Sequence, residues 1–153
     1  MKVISIIQPW ATLIAMGEKK FETRSWSTKY RGELAIHSSK KVNKEACRLE
    51  PIRSVLAKHG YDESNLPTGV ILATCQLLNC FKVFADKGTS AALEVGRMVR
   101  IVEGDEYQFG DYSEGRFAWE LRDVNALYEP IPAKGKLNLW EHPLTEMVGE
   151  NND

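Results

Sequence analysis

The chain has 153 residues, 43% hydrophobic and 27% charged, a composition that suits an ordinary globular domain with one core. No apolar run approaches the ~20 residues needed to cross a bilayer, so no membrane partner is expected. The net charge of −1 excludes a uniformly basic chain, yet residues 19–58 hold eleven Lys or Arg and four Glu, a net of +7.

The first elements are predicted from local residue patterns and from the residues that begin and end a helix. The β-branched run at residues 2–7 predicts a short strand. Residues 8–17 predict a buried helix, because Pro9 stands at its first helical position and Gly17 lies just past its end. Residues 31–39 alternate apolar and polar side chains, which predicts a half-buried strand.

The middle of the chain combines a broken helix with a long strand. Residues 43–60 are amphipathic, and Pro51 is expected to divide them into two short helices. Residues 70–84 form an apolar run that is too long for one ordinary strand. A bend or bulge is therefore predicted near residues 78–79.

The second half of the chain is less regular. Residues 89–102 predict a helix, and the acidic, Gly-rich residues 103–115 predict a solvated loop. Residues 116–124 and 126–135 predict two closing strands separated by a tight turn at residues 123–125. The latter strand is placed at a sheet edge because it contains two prolines.

The predicted elements together define the fold class. Five short strands with helices inserted early predict an α+β fold, a small mixed β-barrel with helices packed around it. A single domain is expected over residues 1–145, followed by a flexible tail at residues 146–153. A monomer is expected. The three cysteines are odd in number and, without a secretory signal pattern at residues 1–10, favour reduced thiols in a cytoplasmic protein.

A charged and aromatic cluster, "GEKKFETRSW", follows the first predicted helix. If it is a strand, Glu22 and Arg24 share a face; if it is a helix, Lys19 and Glu22 are neighbours instead. A carboxylate beside an Arg orients the guanidinium, which can then bind a phosphate or a base edge. The alternative is that the pair only braces a turn.

Flat side chains lie close to these charges in sequence. Nucleic-acid bases stack on such rings for about 1–3 kcal/mol, and basic groups interleaved with aromatics are typical of a nucleic-acid groove. The residues predicted to bind nucleic acid are Trp10, Lys19, Glu22, Arg24, Trp26, Lys29, Tyr30, Arg31, Ser38, Lys40 and Lys41. The alternative for the more distant cations Lys44, Arg48 and Lys58 is a solvated helix face.

Three residues are candidates for catalysis, namely Lys19, Glu22 and His37. His37 could act as a general base toward a ribose hydroxyl or a water. The alternative is a structural histidine bonded to a backbone carbonyl. The sequence shows no metal-ligand spacing and no cofactor motif, so neither a metal nor a cofactor is expected.

Residues 5–40, "SIIQPWATLIAMGEKKFETRSWSTKYRGELAIHSSK", resemble the opening of the ASCH domain, the activating-signal-cointegrator homology family of the PUA-like superfamily. The family signature Gly-x-Lys-x-x-Glu-x-Arg is met by Gly17, Lys19, Glu22 and Arg24. Later blocks of the family resemble "LPTGVILATCQLLNC", "GDYSEGRFAWEL" and "PIPAKGKLNLW". The likeness covers about residues 3–141.

This resemblance implies a PUA-like β-barrel with the signature in a cleft between the first helix and the barrel. It implies binding of nucleic acid, chiefly single-stranded or modified RNA, with DNA as an alternative. Two other readings stay open: a small hydrolase, either a ribonuclease or an amidohydrolase acting on acetylated cytidine, and a protein-interaction module.

The amidohydrolase reading departs from the family pattern. In that relative the chemistry is assigned to a Lys, a Thr three residues later and a Glu on a following strand. Lys19 fits the first position, but Glu22 occupies the second and Gln76 the third. Because a Gln cannot serve as a general base, the departure argues against this activity and leaves a ribonuclease open.

Overall fold

The computed structural model describes residues 1–144 and is mostly strand with a few short helices, as an α+β fold requires. The strands within this range are β1 Lys2–Gln8, β2 Phe21–Arg24, β3 Gly32–Val42, β4 Val70–Asp86, β5 Ser90–Val95, β6 Met98–Glu103, β7 Phe117–Pro132 and β8 Leu139–Glu141. The helices are α1 Trp10–Ala15, α2 Lys44–Arg48, α3 Ile52–Lys58 and α4 Gly104–Gln108.

The strands form one sheet in the order β2-β7-β4-β3-β1-β8, and β5 and β6 extend from β4 as a hairpin. The pair β1 and β3 is parallel, whereas the other pairs are antiparallel. A parallel pair needs a crossover connection, and here that connection contains α1 and β2. The crossover therefore holds the whole signature against the sheet.

Several predicted elements are confirmed. α1 is buried from Ala11 to Ala15 and Gly17, with φ of +76°, follows its end. Helices α2 and α3 are separated at Pro51. The 17-residue strand β4 shifts register between Leu77 and Asn79, where the bulge was expected.

The helix predicted at residues 89–102 is wrong, because this segment forms the hairpin β5–β6. Ala91 and Leu93 are buried at alternate positions, and Val102 is buried across from Ala91. Gly96 has φ of +56°, which a hairpin turn requires and a helix forbids. Short-range apolar spacing does not separate the two patterns in so short a run.

The turn predicted at residues 123–125 is also wrong, since β7 continues through it as one 16-residue strand. Asp123 has φ of +54°, a left-handed conformation that Asp tolerates. Gln76 pairs with Arg122 and Thr74 with Asn125, so two residues of β7 face one of β4. The turn signal therefore marks a β-bulge.

Two further expectations are modified. The acidic segment at residues 103–115 contains α4, and eight strands replace the five expected. The tail expected at residues 146–153 lies outside the described residues. None of the four helices found in residues 1–144 is long and apolar enough to cross a membrane.

Candidate functional site

The signature begins with a glycine that reverses the chain after α1. Gly17 adopts φ of +76°, where a residue with a side chain is strained. The amides of Glu18 and Lys19 then donate to the carbonyl of Leu13, at 2.9 and 3.0 Å. This turn returns the chain to α1 and starts β2 beside it.

Lys19 lies beneath the site. Its side chain is 1% exposed, and its Nζ donates to the backbone oxygen of Phe109 at 3.0 Å and lies 4.0 Å from Glu22 Oε1. Burial lowers the pKa of Lys19, and the nearby carboxylates of Glu22 and Glu106 oppose that shift. Lys19 thus ties the signature to the segment that follows α4.

Glu22 and Arg24 lie on β2 and share one face, as the strand alternative predicts. Glu22 Oε2 forms an ion pair with Arg24 Nη2 at 3.1 Å. The same nitrogen donates a hydrogen bond to the backbone carbonyl oxygen of Ser5 at 2.7 Å. Within residues 1–144, Arg24 Nε is buried without a hydrogen-bond partner. The guanidinium is therefore fixed from β1 and β2 while 26% of the side chain stays exposed.

A cleft of about 480 Å³ opens over this pair. Glu22, Arg24, Trp10 and Trp26 line it, and both indoles are half-buried. Trp26 packs edge-on against the buried Trp119, with ring centroids 4.8 Å apart. The cleft thus combines an oriented cation with two partly open aromatic surfaces.

Residues 108–111, at the end of α4 and just after it, form a second wall of the cleft. Three contacts hold it: the Lys19 bond to Phe109, a 3.0 Å bond from the Asp111 amide to Thr23 Oγ1, and close packing at Gly110. A Cβ on Gly110 would lie 2.9 Å from the ring of buried Tyr112 and 3.1 Å from Thr23 Cγ2 on β2. The backbone of this wall therefore approaches β2 as closely as a glycine allows.

Sequence reasoning missed Ser5, Gln108, Asp111 and Arg116, which also line the cleft. Ser5 and residues 108–111 contact the signature residues mainly through backbone atoms. Such contacts cannot be predicted from the type of residue. Arg116 could have been found as the cation within the family-like block "GDYSEGRFAWEL", but the acidic residues before it resembled a solvated loop.

Glu106 belongs to the acidic segment that was expected to be a solvated loop, but its side chain is half-buried. Its Oε1 accepts from the Lys20 amide at 2.7 Å, whereas its Oε2 is buried with no partner among residues 1–144. Burial raises the pKa of this carboxyl, and the Lys19 charge acts in the opposite sense. Glu106 and Glu22 therefore both lie close enough to Lys19 to interact with its charge.

The other predicted binding residues surround the cleft or lie apart from it. Lys29, Tyr30 and Arg31 follow Trp26 in the connection to β3, where Tyr30 Oη donates to the Glu33 oxygen. Ser38 is buried and donates to the Val70 oxygen at 3.2 Å. It is therefore placed to support the sheet.

Lys40 and Lys41 lie where β3 runs beside the end of β1. Ile6 pairs with Ser38 and Gln8 with Val42, so the intervening residues of β3 bulge opposite Ile7. Ile7 lines the cleft, and both lysines are exposed. Both lysines therefore lie on the strand next to a cleft-lining residue, outside the lining itself.

His37 lies outside the cleft. It is buried, its Nδ1 shares a 2.9 Å hydrogen bond with Ser5 Oγ, and its Nε2 lies 2.7 Å from the Ala133 oxygen. A Cβ on Gly135 would come within 2.9 Å of the ring, so the surroundings are tight. These contacts match the structural alternative, and His37 has no open nitrogen for a substrate.

Part of the basic excess is neutralised locally. Three of the cations from residues 19–58 form surface ion pairs on α2 and α3: Arg48 with Glu63, Arg53 with Glu50, and Lys58 with Glu18. For Arg48 and Lys58 the solvated-helix alternative therefore holds. Lys29, Arg31, Lys40 and Lys41 form no ion pair within the described residues.

No group of three or more His, Cys, Asp or Glu in residues 1–144 is arranged to hold a metal ion. The three cysteines are buried and unpaired, and burial raises the pKa of each thiol. The chemistry that the cleft offers is therefore that of an oriented guanidinium, carboxylates and aromatic faces.

A mostly stranded sheet with a few short helices is the α+β fold class that the sequence resemblance implies. The chain belongs to the ASCH domain family, whose model matches residues 4–131. This family is associated with RNA binding.

Two curated proteins are similar to the chain. Activating signal cointegrator 1 from Homo sapiens is 25% identical over 143 residues, which is 90% of this chain and 22% of that protein. Activating signal cointegrator 1 from Mus musculus has the same identity and coverage. The chain thus spans less than a quarter of the length of these relatives.

Proposed function

We propose that the protein binds single-stranded RNA and accepts one base, unmodified or modified, in the cleft. The observation that carries the proposal is the Arg24 guanidinium, which Glu22 and Ser5 hold from two sides while part of it faces the cleft between Trp10 and Trp26. A guanidinium that is held in one orientation can form two hydrogen bonds with the edge of a base. Stacking on an indole contributes about 1–3 kcal/mol per base.

The path of the RNA backbone is assigned to the unpaired cations at the rim. Lys40 and Lys41 lie on the strand beside Ile7, and Lys29 and Arg31 follow Trp26. Phosphates on either side of the bound base would meet these cations. Single-stranded DNA offers the same phosphates, so the preference for RNA is part of the proposal and must be measured.

The first test is the salt dependence of binding to a short single-stranded RNA. Each phosphate contact to a single strand contributes ~0.7 to the log–log salt slope. The double variant Lys40→Glu with Lys41→Glu should bind more weakly and lose about 1.4 from that slope. Fluorescence anisotropy over a salt series measures both quantities.

The matched control is Arg53→Glu with Lys58→Glu, which makes the same charge change on α3, outside the cleft lining. This control should keep a slope close to that of the unmodified protein. An RNA affinity that is independent of salt would contradict the proposal. Absence of nucleic-acid binding even at low salt would favour the protein-interaction alternative.

We also propose that binding occurs without rapid turnover. Each of the three catalytic candidates contacts a protein group. Lys19 is buried and donates to the backbone oxygen of Phe109, and Glu22 is paired with Arg24. Both ring nitrogens of His37 are hydrogen-bonded outside the cleft. A general base must reach the proton it removes and have a matched pKa. In this arrangement each candidate is held by a protein group.

Incubation with single-stranded RNA and with acetylated cytidine, with and without a divalent metal, should therefore give no enzyme-dependent product. Liquid chromatography with mass spectrometry detects either reaction. Product formation that Lys19→Ala abolishes would overturn the binder proposal. Product that persists in both Lys19→Ala and His37→Ala preparations would identify a contaminant.

Closure of the sheet into a PUA-like barrel is part of the same proposal. β2 and β1 are not paired as strands among the described residues, but the Arg24 bond to the Ser5 oxygen joins them. This contact supports a closed arrangement in which the signature lies at the seam.

A further inference from the structure

The strand β6 has a free edge. Within the described part of the chain, β6 pairs with β5 alone. In an antiparallel ladder, alternate residues direct their N–H and C=O groups to opposite sides. β6 therefore presents a row of backbone donors and acceptors, and such a row is a template for another strand.

This edge is also apolar. Met98, Val99 and Ile101 are 39%, 54% and 63% exposed. Val99 and Ile101 are two residues apart and so project from the same face of the sheet. Arg100 projects from the other face, where its guanidinium lies 5.7 Å from the ring centroid of Phe81. Arg100 therefore does not shield the apolar pair.

The two ends of β6 carry opposite charges. Arg97 precedes the strand and Glu103 is its last residue, and both are exposed. Neither forms an ion pair within residues 1–144. Two identical strands related by a two-fold axis perpendicular to the sheet run antiparallel. Such a pairing brings the positive end of each strand to the negative end of the other.

We propose that β6 pairs with β6 of a second copy of this chain and joins the two sheets. Arg97 of each copy then lies against Glu103 of the other, and Val99 and Ile101 cover one another across the axis. The complementary, locally unpaired charges favour a second copy over an unrelated strand. This inference replaces the monomer expected from the sequence with a dimer.

The dimer should depend on concentration. One six-residue strand contributes less than the ~800 Å² per partner of a standard stable interface. Sedimentation equilibrium over a concentration series should therefore show a reversible monomer–dimer equilibrium. A protein that stays monomeric at every concentration would overturn the proposal.

Ile101→Lys tests the apolar face, and Leu49→Lys is its matched control. Leu49 is 64% exposed at the end of α2, so both variants place a lysine at an equally open apolar position. Ile101→Lys should weaken dimerisation by about tenfold or more, or ~1.4 kcal/mol. Leu49→Lys should leave it unchanged. Equal weakening in both would overturn the assignment to β6.

Charge reversal tests the pairing itself. Arg97→Glu makes both ends of β6 negative, and Glu103→Arg makes both ends positive. Each variant alone should fail to dimerise, and an equimolar mixture should form a heterodimer. Circular dichroism shows that each variant is folded. A mixture of folded variants that remains monomeric while the unmodified protein dimerises would overturn the antiparallel arrangement.

Discussion

Arg24→Lys is expected to weaken binding of single-stranded RNA by about 1–3 kcal/mol, the contribution of one well-placed bidentate contact. The substitution keeps the positive charge but removes the planar fork. A lysine ammonium that contacts Glu22 and the backbone oxygen of Ser5 cannot also direct a second pair of N–H donors into the cleft. Calorimetric titration at fixed salt measures the loss.

Arg53→Lys is the control, because Arg53 is exposed on α3 and pairs only with Glu50 within the described residues. Its RNA affinity should not change. Thermal unfolding of both variants separates binding from stability. If Arg24→Lys lowers the melting temperature and yet binds RNA normally when folded, the Glu22–Arg24 pair is a turn brace and the binding proposal fails.

Lys19→Met is expected to destabilise the fold by about 2–4 kcal/mol. The substitution preserves the apolar stem but leaves the Phe109 oxygen without its donor and Glu22 and Glu106 without the nearby cation. The wall at residues 108–111 should loosen first. Hydrogen exchange should increase there, and RNA binding should fall with it.

Lys2→Met is the matched control, since Lys2 forms a partly exposed ion pair with Glu141. Exposed pairs of this kind contribute about 0–1 kcal/mol. A Lys19→Met protein as stable as the Lys2→Met protein, with an unchanged wall, would contradict the role assigned to Lys19.

The same lysine gives a pH prediction with a definite sign. The pKa of Lys19 is lowered by burial from its ordinary value of 10.5, so the unfolded state binds more protons between the lowered pKa and 10.5. Its contribution to the free energy of unfolding should therefore rise with pH across that window. The difference between unmodified protein and Lys19→Met isolates this contribution, because all other titrating groups are shared.

Local chemistry made part of the fold predictable. Pro9 and Gly17 delimited α1, and Pro51 divided α2 from α3. Proline restricts its own φ and glycine accepts the positive φ that follows a helix, so the prediction does not depend on distant contacts. The bulge near residues 78–79 followed from strand length alone.

Tertiary context decided the elements that were mispredicted. The β5–β6 hairpin is a strand pair because Ala91 and Leu93 are buried against the rest of the sheet, which a local pattern does not reveal. At Asp123, a residue type typical of turns forms a bulge because β4 continues to pair on both sides of it. A turn signal specifies a local φ angle and leaves the path of the chain open.

Some residues of the candidate site were likewise predictable from the sequence and others were not. Glu22 and Arg24 were predictable as a pair from strand periodicity and residue type. The burial of Lys19 was not, because its partner is the backbone oxygen of Phe109, ninety residues away. Backbone atoms carry no sequence signal. The wall that completes the cleft therefore became visible only in the fold.

In the proposed complex, a base of single-stranded RNA enters the cleft beside Arg24. The most direct measurement is a nitrogen-15 NMR titration that follows the Arg24 Nε–H and the indole N–H groups of Trp10 and Trp26. We predict that these signals shift together as a short single-stranded RNA is added, while the Arg53 Nε–H on α3 does not move. Saturable RNA binding that leaves the three cleft signals unchanged would contradict the account.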